Sequence, residues 1–171
     1  MYLKEMEKAA NDCTEAVSHL PVPFLSTMMG GLETGYDMRD THHQARATTA
    51  AAAVIHGLSV MADSFVAVDC LLRDHPQDAG KLIDALRANF EGYEELREYL
   101  VSCPKYGNNE DVPDEEARVI ADRVSDMVSA LRNNWGNPFR VDFSTPSTHL
   151  LYGYWVGAMP DGRKSRDMLN Y

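Results

Sequence analysis

The chain has 171 residues, 44% of them hydrophobic, and a formal net charge of −10. This length and composition predict a globular domain with a substantial core. The acidic balance argues against a nucleic-acid role, because phosphate binding needs clustered Lys and Arg. We find neither a run of roughly 20 apolar residues for a membrane span nor a signal peptide in the charged first 20 residues, and we expect a cytoplasmic protein.

The first predicted element is an amphipathic helix. Apolar residues recur at spacings of three and four from Leu3 to Leu20, and Pro21 ends the pattern. Cys13 lies on the apolar face, either as a reactive thiol or as a small buried filler, and we favour the filler. The cysteine count is three, which is odd, and no two cysteines are close in sequence. We therefore expect no disulfide framework and no structural metal.

A histidine pair follows in a polar segment. His42 and His43, with His56 further on, allow two interpretations, a metal site or polar residues that make hydrogen bonds. Adjacent helical residues point about 100° apart, and no carboxylate or cysteine stands at a ligand spacing. We favour the hydrogen-bonding interpretation.

The middle of the chain predicts three helices. The alanine-rich stretch from Thr48 to Leu72 predicts a long, largely buried helix. Asp63 in its centre is either a structural hydrogen-bonding group or a catalytic carboxylate, and we favour the structural role. Asp78 is expected to cap a helix from Ala79 to about Asn89, and a short helix is expected from Tyr93 to Val101.

The last part of the chain predicts a turn, then a long helix, and then an aromatic, β-prone run. The stretch 104–109 predicts a fixed turn. A helix is expected to start near Asp111–Pro113 and to end at Asn133–Pro138. Strands are predicted near Arg140–Ser144 and from His149 to Val156, followed by a turn at 160–163.

Three short motifs occur in an order that carries more information than each motif alone. They are Phe-Glu-Gly-Tyr-Glu-Glu-Leu at 90–96, Pro-Lys-Tyr-Gly-Asn at 104–108 and Pro-Asp-Gly-Arg-Lys at 160–164. Each alone is weak, but in this order the chain from about Pro21 to Tyr171 resembles the glycyl radical enzymes of the pyruvate formate-lyase type. The resemblance implies an α/β fold, mostly α in this segment, that is part of a ten-stranded α/β barrel. Long helices and one or two strands after Phe139 are expected.

The resemblance also implies a domain assignment and a radical chemistry. Residues 1–171 would be a single partial domain, a segment of the barrel domain, with the C-terminal glycine radical domain absent. In the family a glycine stores a radical and a cysteine in the barrel centre abstracts hydrogen from the substrate. We identify neither residue here, since Gly153-Tyr154 precedes the 160–163 turn and lacks the Arg-Val-x context. No residue is therefore assigned a catalytic role.

The same resemblance implies cofactors and partners. The chain itself is expected to bind no cofactor, to hold no metal and to be inactive alone. The glycyl radical of the full enzyme would be installed by a radical S-adenosylmethionine activase. The expected partners are the remainder of the enzyme, the activating enzyme and a small-molecule substrate, in a homodimer when complete, without nucleic acid or membrane.

The family resemblance also implies which residues line the substrate cavity, near the end of the predicted strand. Phe143, Thr145 and His149 are the candidates for substrate binding that the resemblance implies, against the alternative of ordinary barrel packing. After Asp37 the family's Gly-Gly-Ala-x-Tyr-Asn segment is replaced by Asp40–Arg46. This departure indicates a subgroup other than formate-lyase and leaves the substrate open.

Three hypotheses for function result. The first is a segment of an anaerobic glycyl radical enzyme of lyase, acyltransferase or dehydratase type, which cleaves C–C, C–O, C–N or C–S bonds in a small organic substrate. The second is a non-catalytic helical interaction module derived from that family. The third, an unrelated acidic helical binding protein, requires the three ordered motifs to be coincidental. Part of a barrel would expose strand edges and an apolar inner face, so association with a partner is expected.

Overall fold

The computed structural model describes residues 2–40, 52–144 and 148–169, with the backbone alone of His149 and Leu150. Within these ranges the chain is mostly helical, and two short strands lie side by side in one sheet. The helices are α1 (Tyr2–Ser18), α2 (Pro23–Ser26), α3 (Leu32–Thr34), α4 (Leu58–Asp74), α5 (Leu82–Arg87), α6 (Glu94–Ser102), α7 (Asp111–Ser129) and α8 (His149–Trp155), and the strands are β1 (Ala52–Ile55) and β2 (Arg140–Phe143).

The chain divides into two compact units. The first unit comprises residues 1–54 and 124–142, and the second comprises residues 55–123 and 143–171. The three motifs of the sequence all lie in the second unit. Among the described residues, no helix combines the length and the apolar character needed to cross a membrane.

In the first unit, α1 is tied to the segment that follows α7. The backbone N–H of Arg132 donates to the Glu7 carboxylate at 2.6 Å, and the Asn11 amide donates to the Arg132 carbonyl at 2.9 Å. The predicted N-terminal helix is confirmed. The prediction that Cys13 is a buried filler is wrong, because its side chain is exposed and no residue of α1 is fully buried.

Asp37 organises the segment after α1. Its carboxylate accepts the backbone N–H of Val22 at 2.7 Å, the Ser26 hydroxyl at 2.9 Å and the backbone N–H of Arg39 at 2.9 Å. The bond from Arg39, helped by those from Ser26 and Val22, lowers the pKa of Asp37 below its ordinary value. This carboxylate ties both ends of α2, which a π turn at Thr27–Gly31 joins to α3, to the segment that follows α3.

The second unit contains a hydrophobic core between α4, α5 and α6. Phe90, Leu71 and Leu100 are fully buried there. Phe90 and its neighbour Asn89 both have positive φ, 64° and 53°, which is uncommon for residues with a Cβ atom. The burial of the Phe90 ring contributes about 2–3 kcal/mol and offsets the strain of this turn.

Several predicted elements differ in the structure. The helix predicted from Thr48 to Leu72 begins only at Leu58, after strand β1, and residues 48–51 lie outside the described part. Gly57, at φ +86°, separates strand from helix, because a left-handed residue ends the regular backbone pattern. Alanine-rich residues therefore form a strand, since pairing with β2 outweighs their helix propensity.

From Asp78 onward, the predicted helix boundaries agree with the structure better than the predicted helix cap does. Asp78 makes no capping bond and instead forms an ion pair with Lys81 at 2.7 Å. A 3₁₀ turn at Ala79–Lys81 precedes α5 where one helix to about Asn89 was predicted. The predicted short helix is confirmed as α6, and the predicted acidic start near Asp111 is confirmed as the start of α7.

Candidate functional site

Hydrogen bonds connect the second and third motifs, and residues flanking the first and third, to other parts of the second unit. The backbone N–H of Tyr106 donates to Asp63 Oδ1 at 2.7 Å. The Arg97 guanidinium donates to the Gly162 carbonyl at 2.9 Å. The backbone N–H of Ser165, just after the third motif, donates to the Asn89 side chain at 2.7 Å. The structural role predicted for Asp63 is confirmed.

Lys105 of the second motif caps the end of α6. Its Nζ donates to the carbonyls of Leu100 and Cys103, both at 2.8 Å. The last carbonyls of a helix lack partners within the helix and carry partial negative charge, so a cation placed there stabilises the helix end. The lysine of this motif therefore has a structural partner in this structure.

Arg163 of the third motif has the same role at the end of α8. Its buried guanidinium donates to the carbonyls of Gly153 and Val156 at 3.1 and 3.2 Å. It also donates to the carbonyls of Gly157 and Lys164 at 3.2 and 2.6 Å. Four carbonyls converge on one cation, and this arrangement fixes where α8 ends.

Asp161 lies buried in the same turn. One carboxylate oxygen accepts the backbone N–H of Arg163 at 3.0 Å. Burial raises the pKa of Asp161 above its ordinary value, against the opposing effects of that bond and of the Lys105 and Arg163 charges. The buried acid is therefore under the electrostatic influence of two cations that already have carbonyl partners, Lys105 of the second motif and Arg163 of the turn.

Helix α8 corrects a prediction. The aromatic run His149–Val156 was predicted as a strand, and residues His149–Trp155 are helical. Arg163 satisfies carbonyls of the last turn, and the backbone of Asp167 approaches Gly153 so closely that an added Cβ would clash with the Asp167 carbonyl oxygen. These contacts within the second unit outweigh the β propensity of the aromatic residues.

The sequence-predicted substrate residues are only partly described. Phe143 is the last residue of β2 and is 36% exposed. Thr145 lies outside the described residues. His149 begins α8, and its side chain lies outside the described part. The structure thus places Phe143 at a strand end, and it leaves the three residues as a prediction.

His56, for which the sequence favoured a hydrogen-bonding role over a metal site, is a neighbour of this strand end. It follows β1 directly, and its Nδ1 lies 2.8 Å from the carbonyl oxygen of Ser144, the residue after β2. Its ring stands 5.7 Å from the Tyr152 ring of α8, measured between centroids. The sequence offered only a weak signal for this position, the β-branched pair Val54-Ile55 just before His56, and the alanines around it predicted a helix instead.

Metal-ligating side chains do not cluster in the described part of the chain. No three His, Cys, Asp or Glu side chains among those residues are grouped to hold a metal ion. His42 and His43 lie outside the described residues. Cys70 and Cys103 belong to the hydrophobic core of the second unit, and burial raises the pKa of the Cys103 thiol to about 11.

A groove of about 520 Å³ lies between α4 and α6 in the second unit, away from the strand end. Its wall includes Tyr99, whose hydroxyl donates to Asp74 at 2.8 Å and whose ring packs edge-on against His75. The bonds from Arg73 and Tyr99 lower the pKa of Asp74 to about 2. These polar groups are engaged in hydrogen bonds and ring contacts with one another. The groove therefore brings no set of reactive side chains together.

Gly162 and Gly107 offer a test of how tightly the motif loops pack. Both have positive φ, 91° and 89°, but only at Gly162 would a Cβ meet another chain segment, 2.5 Å from Val101 Cγ2 and 3.1 Å from the Val101 nitrogen. We expect Gly107→Ala to cost about 1 kcal/mol through backbone strain, and Gly162→Ala about 2–4 kcal/mol through strain plus overlap with α6. Urea unfolding of the two variants checks this, and equal losses would show that the third motif does not pack tightly on α6.

Comparison with known proteins identifies the class. The family profile described as "PFL-like: Pyruvate formate lyase-like" matches residues 3–153. The trans-4-hydroxy-L-proline dehydratase of Clostridioides difficile is 30% identical over 167 residues, covering 95% of this chain and 21% of that protein. The isethionate sulfite-lyase of Nitratidesulfovibrio vulgaris is 33% identical over 123 residues, covering 67% of this chain and 14% of that protein.

Solved structures agree with the sequence relatives. The glycerol-bound B12-independent glycerol dehydratase of Clostridium butyricum superposes with a TM-score of 0.82 at 29% identity, covering 99% of this chain and 22% of that chain. A glycyl radical enzyme of Archaeoglobus fulgidus gives 0.80 at 28% identity, covering 98% of this chain and 22% of that chain. The fold is thus that of a segment of a glycyl radical enzyme barrel.

The chain belongs to the pyruvate formate lyase-like family. It spans about a fifth of the length of the hydroxyproline dehydratase. The mostly helical α/β architecture predicted from the three motifs, with a strand after Phe139, is confirmed.

Proposed function

We propose that this chain is a segment of a glycyl radical enzyme that cleaves or eliminates from a small organic substrate after hydrogen abstraction by a thiyl radical. The observation that carries the proposal is the match along nearly the whole chain, 99% of it on the glycerol dehydratase. On this proposal residues 1–171 are a single partial domain of the barrel, and the remainder of the enzyme supplies the radical glycine and the cysteine. The chain is inactive without them.

In catalysis, this chain would form part of the barrel wall and would help to position the substrate. β2 leads to Phe143, Thr145 and His149, which we propose contact the substrate. Phe143, at the strand terminus and partly open, supports this assignment. The helix α8 that begins at His149 is anchored at its other end by Arg163, so the site would be held from both sides by fixed elements.

An exposed apolar segment in the first unit supports the need for further protein. Phe24, Met28 and Leu32 are 82%, 73% and 81% exposed in the segment that is tied to Asp37 through Val22 and Ser26. A monomeric protein seldom exposes several large apolar side chains so close together. We propose that the remainder of the enzyme covers them, in a cytoplasmic homodimer that a radical S-adenosylmethionine activase activates.

The relatives narrow the substrate class. Among the proteins that this chain is similar to, two are dehydratases of hydroxyproline and of glycerol, and another structure concerns 1,2-propanediol dehydration in Roseburia inulinivorans. Each of these molecules is small and carries a hydroxyl group. We propose a small hydroxylated substrate, from which the enzyme eliminates a group adjacent to the carbon that loses hydrogen.

A chimera tests the proposal. The segment of the C. difficile hydroxyproline dehydratase that aligns with this chain is replaced by residues of this chain, and the product is activated anaerobically with its activase. We expect a glycine-centred doublet in electron paramagnetic resonance and turnover of a small hydroxylated compound from a panel of diols and hydroxylated amino acids. The isolated chain, treated identically, should give no doublet.

Single-residue variants of the chimera test the site. Phe143→Ala, Thr145→Ala and His149→Ala are expected to raise KM about tenfold or more while the radical signal stays unchanged. His19→Ala, at an exposed position just after α1, is the control and should leave KM unaltered. A full radical signal without turnover of any compound, in the unmodified chimera, would instead support the non-catalytic interaction module.

A further inference from the structure

The ends of the two strands meet at one place in the second unit. β1 ends at Ile55 and β2 ends at Phe143. The backbone N–H of Ser144 donates to the Ile55 carbonyl at 3.1 Å, so pairing continues one residue past β2. His56 and Ser144, the first residues after the two strands, therefore lie side by side.

The imidazole of His56 spans this junction. A carbonyl oxygen can only accept a hydrogen bond, so the 2.8 Å contact with Ser144 requires that Nδ1 carries the proton. The neutral ring is then in the Nδ1–H tautomer. The Tyr152 ring, tilted 37° at 5.7 Å, contacts the same imidazole from α8. His56 thus contacts both Ser144, directly after β2, and Tyr152 of α8.

We propose that His56 is a positioning residue of the substrate site, acting through the Ser144 carbonyl. Ser144 directly follows Phe143, one of the residues proposed to contact substrate. A bond to the Ser144 carbonyl restrains rotation of the backbone next to Phe143 and therefore helps to set the direction in which the Phe143 side chain leaves the strand. This inference rests on the proposed function.

The expected effect of removing His56 follows from how strongly the reaction rate depends on the position of the substrate-contacting side chains. A displacement of about 1 Å at a reacting group can cost about 100-fold in rate, whereas the loss of one exposed hydrogen bond barely alters global stability. His56 is exposed, so its removal creates no cavity. We therefore expect its loss to affect the geometry of the strand end far more than the folding of the unit.

The first test is spectroscopic and uses the chain itself. In ¹⁵N-labelled protein the nitrogen shifts of His56 should show a protonated Nδ1. His56→Ala should speed amide hydrogen exchange at Ser144 about tenfold, and His56→Asn, whose amide nitrogen lies as far along the side chain as Nδ1, should restore most of the protection. His19→Ala is the control. A protonated Nε2 with a bare Nδ1, or an Asn variant as unprotected as the Ala variant, would overturn the inference.

The second test uses the activated chimera. His56→Ala should lower kcat/KM about tenfold at an unchanged glycyl radical signal, and His56→Asn should recover most of the loss. An Ala variant with undiminished kcat/KM overturns the inference while the proposed function stands. A chimera with native His56 that shows no turnover contradicts the proposed function, and with it the role of His56 at a substrate site.

Discussion

Replacing Arg163 by alanine is expected to lower the free energy of unfolding of the second unit by about 3–5 kcal/mol. The guanidinium is buried and donates to four backbone carbonyls at 2.6–3.2 Å, two of them, those of Gly153 and Val156, at the end of α8. Without it, these carbonyls lose their charged partner in a place that water reaches poorly. Urea unfolding followed by circular dichroism measures the loss.

Two further variants separate charge from geometry. Arg163→Lys keeps the charge but cannot reach all four acceptors from one ammonium group, and we expect about half the loss. Arg118 is the matched control, because it bonds Glu115 at 2.6 Å and Asp122 at 2.7 Å while 60% exposed. Arg118→Ala should cost about 1 kcal/mol or less. If Arg163→Ala costs no more than this control, Arg163 does not anchor α8.

Replacing Asp63 by alanine is expected to lower the free energy of unfolding by about 2–4 kcal/mol. Its carboxylate is 1% exposed and accepts the backbone N–H of Tyr106 at 2.7 Å. The variant leaves that N–H without its partner and separates α4 from the loop of the second motif. Thermal and urea unfolding measure the loss, and amide hydrogen exchange at Tyr106 shows whether it begins in this loop.

The amide variant makes the Asp63 prediction specific. Asp63→Asn keeps an oxygen at the position of Oδ1 and should cost about 1 kcal/mol or less. Asp69, exposed on the same helix, is the control, and Asp69→Ala should change stability by about 0.5 kcal/mol or less. If Asn proves as damaging as Ala, the negative charge matters rather than the acceptor, and the hydrogen-bonding role would be wrong.

Part of the candidate site could be predicted from local sequence and part could not. Phe143 was placed at a strand end by the β-prone residues around it, and β2 confirms that strand. The contact between His56 and Ser144 joins residues 88 positions apart and depends on β1, where an alanine-rich stretch predicted a helix. Local propensity cannot report a bond whose acceptor lies so far along the chain.

The same limit appears at Arg163 and Cys13. The Pro-Asp-Gly-Arg sequence predicted a turn but not that its arginine would reach back to the carbonyls of α8. The periodicity around Cys13 predicted an apolar face, and α1 does form, but the face stays exposed in this chain. Periodicity reports which side of a helix is apolar, and only neighbouring segments decide whether that side is covered.

The amino-acid sequence by itself determined the family, through three ordered motifs, and most helices, through spacing, caps and turn residues that act over a few positions. Tertiary structure alone decided that 52–55 pairs with 140–143 as a strand and that 149–155 is a helix. The physical reason is that both outcomes depend on backbone groups satisfied by distant residues, Ser144 for β1 and Arg163 for α8.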